Sequence, residues 1–218
     1  MKVIDDLISK EKNGELEVED ILDLVKIRNA SLVPGLKLLK SEIAQKDSYS
    51  LLSVPYDRWI DMVCEFLEQG YAKLTETARR NRDMARFAIS VLEATKDIEG
   101  FKSIVNILAS CDLNDPVGYE NSVRCLSAIN LMISFDDEIK FTEEEADITR
   151  SSIHKYLAFV KGKKKLDEAG VIVAYCALRK IGNNETINVI KEMPALKSVE
   201  NIGVDKMVIS AIKKRNKS

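Results

Sequence analysis

The apolar residues of this chain recur at the spacing of one face of an α-helix, and that periodicity limits the folds open to it. The pattern is clearest in residues 60–67, 84–92, 101–108 and 153–160. Apolar side chains at positions i, i+3, i+4 and i+7 give each helix one side to bury. Sustained alternation of apolar and polar residues, the pattern of a half-buried strand, does not occur. The sequence therefore predicts an all-α protein.

Glycine and proline are scarce for a chain of 218 residues, with 9 and 4 copies. Sandwiches and barrels need many turns, so this shortage favours long helices with short connections. Residues 171–178 are rich in β-branched side chains and, taken alone, would also suit a buried strand. Because the helical pattern continues on both flanks, a helix is favoured there. Breakers and caps divide the chain into about 10 or 11 helices.

Several helix starts carry capping residues. Thr142 and Glu145 have the spacing of a capping box, in which each side chain bonds the other residue's backbone amide. Asp115 stands before a proline, which suits the first position of a helix. Asn183 or Asn184 can cap the helix that follows a glycine. These signals predict helix starts near residues 116, 143 and 184.

The sequence shows no feature of secretion or membrane insertion. Three of its first six residues are charged, and its longest apolar run is eight residues, far short of a membrane span. No C-x-x-C pair occurs, so we expect buried free thiols in a reducing compartment. We therefore expect a soluble cytoplasmic protein with no membrane partner. The four cysteines are Cys64, Cys111, Cys125 and Cys176.

A spacing of 34 residues relates several apolar positions to one another. Leu92 and Leu126 are 34 residues apart, and so are Leu178 and Ile212. Residues 174–183 carry the pattern best. Repeats of this length are typical of stacked helical hairpins.

From about residue 84 to about residue 215 the chain resembles helical-hairpin repeats of the HEAT or armadillo type. The resemblance implies a right-handed stack of helical hairpins, a solenoid whose concave face binds a partner. The alternative is an irregular multi-helix domain. We expect a single all-helical domain over 1–218, with a sub-boundary between the N-terminal helices in 1–53 and the repeat-like stack in 54–218.

The residue types needed for common catalytic and metal sites are missing from the sequence. His154 is the only histidine, so a histidine-rich metal site cannot be built. No glycine-rich phosphate loop and no nucleophile-elbow motif occurs. We therefore predict no catalytic residue, no metal site and no cofactor, and a protein that is not an enzyme.

Acidic residues are concentrated in the middle of the chain. Residues 85–160 carry 7 basic and 13 acidic side chains, a net charge of −6. Some carboxylates complement the positive end of the following helix, and the rest would attract a basic partner. The predicted partner-binding residues are Asp136, Asp137, Glu138, Glu143, Glu144 and Asp147.

Basic residues are concentrated in the last quarter of the chain. Residues 161–218 carry 13 basic and 6 acidic side chains, a net charge of +7. Lysines and arginines at the ends of helices favour the helix dipole, and a row of them can also contact phosphates. The candidate phosphate contacts are Lys163, Lys164, Lys165, Arg179, Lys180, Lys213, Lys214 and Arg215.

Two functions follow as hypotheses. The first is a non-enzymatic protein–protein interaction module, a cytosolic inhibitor, neutralising protein or adaptor that binds a basic protein partner. The alternative is a HEAT-like helical-repeat protein associated with nucleic acid. A sequence-wide pI near 5.7 favours the first, because a stack that cradles a duplex needs a broadly basic face.

Overall fold

The computed structural model describes residues 2–46, 54–135, 139–198 and 203–216. All regular elements in these ranges are helical, which confirms the all-α prediction. No helix within the described ranges has both the length and the apolar character needed to cross a membrane. The described α-helices are α1 (Lys2–Asn13), α2 (Val18–Leu22), α3 (Val33–Lys46), α4 (Tyr56–Arg80), α5 (Arg82–Ala94), α6 (Ile98–Ser110), α7 (Pro116–Phe135), α8 (Glu143–Lys161), α9 (Glu168–Ile181), α10 (Asn184–Glu192) and α11 (Val204–Arg215).

The predicted caps are confirmed. At the start of α8, the Thr142 amide donates to Glu145 at 2.6 Å and the Glu145 amide donates to the Thr142 hydroxyl at 3.2 Å. At the start of α7, the Gly118 amide donates to the Asp115 carboxylate at 2.8 Å. Asn183 is the residue that caps α10. Residues 171–178 lie inside α9, so the helical interpretation of that apolar run is also confirmed.

Helix α4 is two helical arms joined at Gly70. Its φ of 73° lies in the left-handed region that side chains other than glycine rarely adopt. No atom lies within 4 Å of the position that a Cβ would take, so the backbone conformation alone requires glycine. The chain can therefore change direction inside an otherwise continuous helix.

The first compact unit is Met1–Thr95. Within it α4 packs against α3 and α5, and α1 packs against α3. Its fully buried side chains include Ile21, Val25, Leu36, Leu39, Val63, Leu74 and Leu92.

The second compact unit is Lys96–Ser218. Neighbouring helices pair as α6 with α7, α8 with α9 and α10 with α11. In addition α6 contacts α8 and α8 contacts α10, while α7 contacts α9 and α9 contacts α11. The first helices of the three described hairpins, α6, α8 and α10, therefore lie side by side, and so do the second helices, α7, α9 and α11. The largest fully buried side chains include Phe101, Ile104, Leu126, Tyr156 and Tyr175.

The unit boundary follows Thr95. The sub-boundary predicted from the sequence follows residue 53, which lies outside the described residues. The single-domain expectation for 1–218 and the HEAT-like resemblance stay predictions.

Candidate functional site

A groove opens between α6 and α8 in the second unit. Its apolar side chains are Phe101, Val105 and Ile148, and it encloses about 420 Å³. Ile148 is 49% exposed, although its neighbours Phe101 and Val105 are buried. The charged side chains that line this groove are Lys102, Glu144 and Glu145. We call these six residues the acidic groove.

Two of the charges in the acidic groove neutralise each other. The Lys102 ammonium lies 2.9 Å from Glu145 and 3.1 Å from Glu99. The hydrogen bond to Lys102, helped by the Thr142 amide, lowers the pKa of Glu145. The hydrogen bond to Glu145 in turn raises the pKa of Lys102. Both groups are thus held charged.

Glu144 is the residue that gives the lining of the acidic groove its net negative charge. No ion pair of Glu144 occurs in the part of the chain that the structure describes. With Lys102 and Glu145 paired, the lining of the groove keeps one net negative charge. The groove therefore presents an apolar floor beside an uncompensated carboxylate.

Other predicted acidic residues have partners inside the chain. The side chains of Glu143 and Asp147 both reach the guanidinium of Arg150, Glu143 at 2.5 Å. The structure thus brings Glu143 and Asp147 together on one arginine and places Glu144 apart from them, in the groove. Asp136, Asp137 and Glu138 lie outside the described residues.

Two arginines satisfy carbonyl groups at the carboxyl end of α9. Arg150 donates to the Ile181 oxygen at 2.6 Å. Arg215 donates to the Arg179 oxygen at 2.7 Å and also to the Gly182 oxygen. Burial and the nearby positive charge of Arg150 lower the pKa of Arg215. The Arg215 guanidinium therefore serves the helix end, where carbonyls lack intrahelical donors.

The candidate phosphate contacts form two separate groups. Lys180, Lys213 and Lys214 lie with Arg179 and Arg215 at the carboxyl ends of α9 and α11. The lysines at 163–165 lie in the turn before α9. Since α9 has 14 residues, its two ends are about 20 Å apart. The structure does not bring the two groups together.

His154 is half-buried and occupies a structural position. Its Nε2 lies 3.0 Å from the Thr186 hydroxyl, which belongs to the cap of α10. No group of three or more potential metal-ligating side chains occurs among the residues that the structure describes.

Sequence reasoning missed the apolar half of the acidic groove and a hydrogen-bonded group around Tyr119. The Tyr119 hydroxyl donates to Asp167 at 2.5 Å and lies 3.0 Å from the Tyr156 hydroxyl. These residues come from α7, α8 and the start of α9, so only the packing of three helices shows their relation.

Comparison with protein families, curated proteins and solved structures finds no match to this chain.

Proposed function

We propose that this chain is a non-enzymatic protein-interaction module whose acidic groove binds a basic amphipathic segment of a partner protein. The observation that carries the proposal is the exposed Ile148, which lines the same groove as the buried Phe101 and Val105 and the unpaired Glu144. An apolar side chain of the partner would enter between α6 and α8. A lysine or arginine next to it in the partner would reach Glu144.

Apolar area and charge have different roles in such a contact. Burial of apolar surface in the centre of an interface supplies most of the affinity. Charges at the rim speed the encounter and exclude partners of the wrong sign. Ile148 is suited to the first role and Glu144 to the second.

The arrangement of helices in the second unit also supports an interaction module. In the described part of this unit, three helical hairpins follow one another, with their first helices in contact and their second helices in contact, as a HEAT or armadillo repeat would give. Proteins of that architecture present extended surfaces to partners. As an adaptor or as an inhibitor that neutralises a basic protein, the chain would act in the cytoplasm.

The nucleic-acid alternative has less support. Its candidate contacts fall into two groups about 20 Å apart along α9. Arg215 is also engaged with the main-chain oxygen of Arg179. A duplex needs a continuous row of cations to follow its backbone.

The proposal can be tested with a displayed library of random peptides panned against the whole chain. We expect enrichment of peptides in which an apolar residue is flanked by lysine or arginine. Synthetic copies of the enriched peptides should bind with a Kd that rises modestly with salt, since one uncompensated carboxylate contributes to the contact. A library that yields no enriched peptide, or only acidic ones, would overturn the proposal.

Two variants test whether the enriched peptides bind in the acidic groove. Ile148→Asp should weaken peptide binding by about 100-fold, since apolar contact is replaced by a charge. Met207→Asp is the matched control, because Met207 is 51% exposed on α11 and lies outside the groove. Equal loss in both variants, or none in Ile148→Asp, would place the peptide elsewhere and refute the groove as the binding site.

A further inference from the structure

A second pocket lies where the start of α7 meets the end of α8 and the turn after it. It encloses about 490 Å³, within the range of about 300–1,000 Å³ typical of small-molecule sites. We call it the lysine pocket and define it by Leu113, Pro116, Tyr119, Val160, Lys163, Lys164 and Lys165.

The wall of the lysine pocket is apolar. Val160 is buried and Leu113 half-buried, and Pro116 adds the ring that begins α7. The ring of Tyr119 completes this wall and lies 6.2 Å from the ring of Phe159. A ligand that enters here would exchange water for aliphatic and aromatic contacts.

The rim of the lysine pocket is basic. The Lys163 ammonium lies 4.0 Å from the centre of the Phe159 ring. Lys164 and Lys165 are exposed, and neither has an ion pair in the described ranges of the chain. Three consecutive residues therefore carry positive charges beside the apolar wall of the pocket.

Among the residues that the structure describes, one carboxylate also lines the lysine pocket, that of Asp167, and it accepts two hydrogen bonds. One oxygen of Asp167 accepts the Gly170 amide at 3.2 Å, and the other accepts the Tyr119 hydroxyl at 2.5 Å. Asp167 therefore caps α9 and holds Tyr119 in place. Asp167 keeps its negative charge, but three lysines against this one carboxylate among the described lining residues leave the pocket net positive.

From this geometry we propose that the lysine pocket binds a small amphiphilic anion, an aliphatic monocarboxylate of medium chain length. The aliphatic chain would lie against Leu113, Pro116 and Val160. The carboxylate would lie among the ammonium groups of Lys164 and Lys165. This site is separate from the acidic groove, and the proposal does not depend on the proposed function.

A titration with octanoate, followed by methyl NMR of the whole chain, tests this assignment. We expect saturable shifts of the Leu113 and Val160 methyl signals. Octan-1-ol and octylammonium are the matched probes, since they share the chain and differ in charge. Both should bind at least about tenfold more weakly than octanoate, because they lack the anion that the lysines attract. Equal binding of all three probes, or no saturable shift with octanoate, would overturn the proposal.

Charge reversal separates the pocket from general attraction to a basic surface. The double variant Lys164→Glu, Lys165→Glu should raise the Kd for octanoate by about tenfold or more. The control is Lys213→Glu, Lys214→Glu, which changes the net charge equally at the carboxyl end of α11, where Arg215 contacts the carboxyl end of α9. An effect of the control as large as that of the pocket variant would show nonspecific attraction and overturn the assignment. Both pairs are exposed, so folding should persist in each variant.

Discussion

The guanidinium of Arg150 donates a 2.6 Å hydrogen bond to the main-chain oxygen of Ile181, the last residue of α9. The Arg150 side chain is only 6% exposed, whereas the Glu143 and Asp147 side chains that pair with it are 81% and 61% exposed. The buried arginine thus links two exposed carboxylates of α8 to the carboxyl end of α9. Its two carboxylate partners balance a charge that burial would otherwise disfavour.

Replacement of Arg150 by alanine should destabilise the protein. The Ile181 oxygen would lose a charge-assisted donor, and the removed side chain would leave space at the α8–α9 contact. We expect the free energy of unfolding to fall by about 2–3 kcal/mol. Urea unfolding followed by circular dichroism measures this change.

Arg124→Ala is the control for the Arg150 variant. Arg124 pairs with Glu120 one helical turn away, and both side chains are well exposed. Such pairs contribute at most about 0.5 kcal/mol. If the two variants lose equal stability, the bond from Arg150 to Ile181 does not have the role described.

Gly170 leaves space for the hydroxyl of Tyr156. A Cβ at this position would overlap that hydroxyl and would lie 2.7 Å from an Asp167 carboxylate oxygen. Although alanine has the higher helix propensity, Gly170→Ala should lower the free energy of unfolding by about 2 kcal/mol, because the overlap forces α9 away from α8. Thermal and urea unfolding of the variant measure the loss.

Two further substitutions, at Gly162 and Tyr156, test whether steric overlap is the reason that Gly170→Ala destabilises the protein. At Gly162 the nearest atom to an added Cβ is the Phe159 oxygen at 3.5 Å, so Gly162→Ala should be neutral within about 0.5 kcal/mol. Tyr156→Phe removes the overlapping oxygen, so it should cost less in the Gly170→Ala background than in the parent chain. Strict additivity of the two substitutions would contradict the steric explanation.

The helices could be predicted from the sequence because their signals are local. The Thr142 and Glu145 pair and the Asp115 cap act within four residues, and each is confirmed. The acidic groove could not be predicted in this way. Phe101 and Ile148 are 47 residues apart, and only the contact between α6 and α8 brings them together.

For the charged residues too, contacts within one helix could be predicted from the sequence, whereas contacts between helices could not. The sequence predicts that Glu143 and Asp147 contact a basic partner. The i, i+3 spacing of Asp147 and Arg150 was a local signal for their ion pair, but the burial of Arg150 against Ile181 depends on the position of α9. Their roles as partner contacts, like those of the lysines at 163–165, stay predictions.

Of the neighbouring thiols of Cys111 and Cys125, that of Cys111 should be the more reactive. A hydrogen bond from the Cys125 thiol lowers the pKa of Cys111, and the positive charge of Lys155 acts in the same direction, although burial opposes both. Burial raises the pKa of Cys125, and it raises the pKa of Cys64 to about 11. Because the thiolate is the nucleophile, iodoacetamide should modify Cys111 before Cys64 and Cys125 at about pH 8.

Peptide mass spectrometry after timed quenching gives the alkylation rate of each cysteine. Lys155→Gln should slow the reaction of Cys111, while Lys155→Arg should leave it nearly unchanged, since the positive charge is retained. Modification of Cys64 or Cys125 ahead of Cys111 in the folded chain would show that this ordering of thiol pKa values is wrong.

His154 should make the stability of the protein depend on pH just below neutrality. Burial lowers the pKa of His154 below the usual value of 6.5; Glu185 opposes this shift and Arg150 adds to it. The folded chain therefore binds a proton at His154 less readily than the unfolded chain does. Stability from the neutral imidazole is present above about pH 6.5 and is lost as the pH falls through the lowered pKa.

The variant His154→Gln isolates this effect, because glutamine stays neutral and its side-chain amide extends as far as the imidazole Nε2, which lies 3.0 Å from the Thr186 hydroxyl. Between about pH 7.5 and about pH 5.5, urea unfolding should show a larger loss of free energy in the parent chain than in the variant. The chain has one histidine, so its imidazole proton signals can be titrated without ambiguity. A midpoint at or above 6.5, or equal pH slopes in the two proteins, would contradict the prediction, since either result requires that burial leave the imidazolium as stable in the folded state as in the unfolded state.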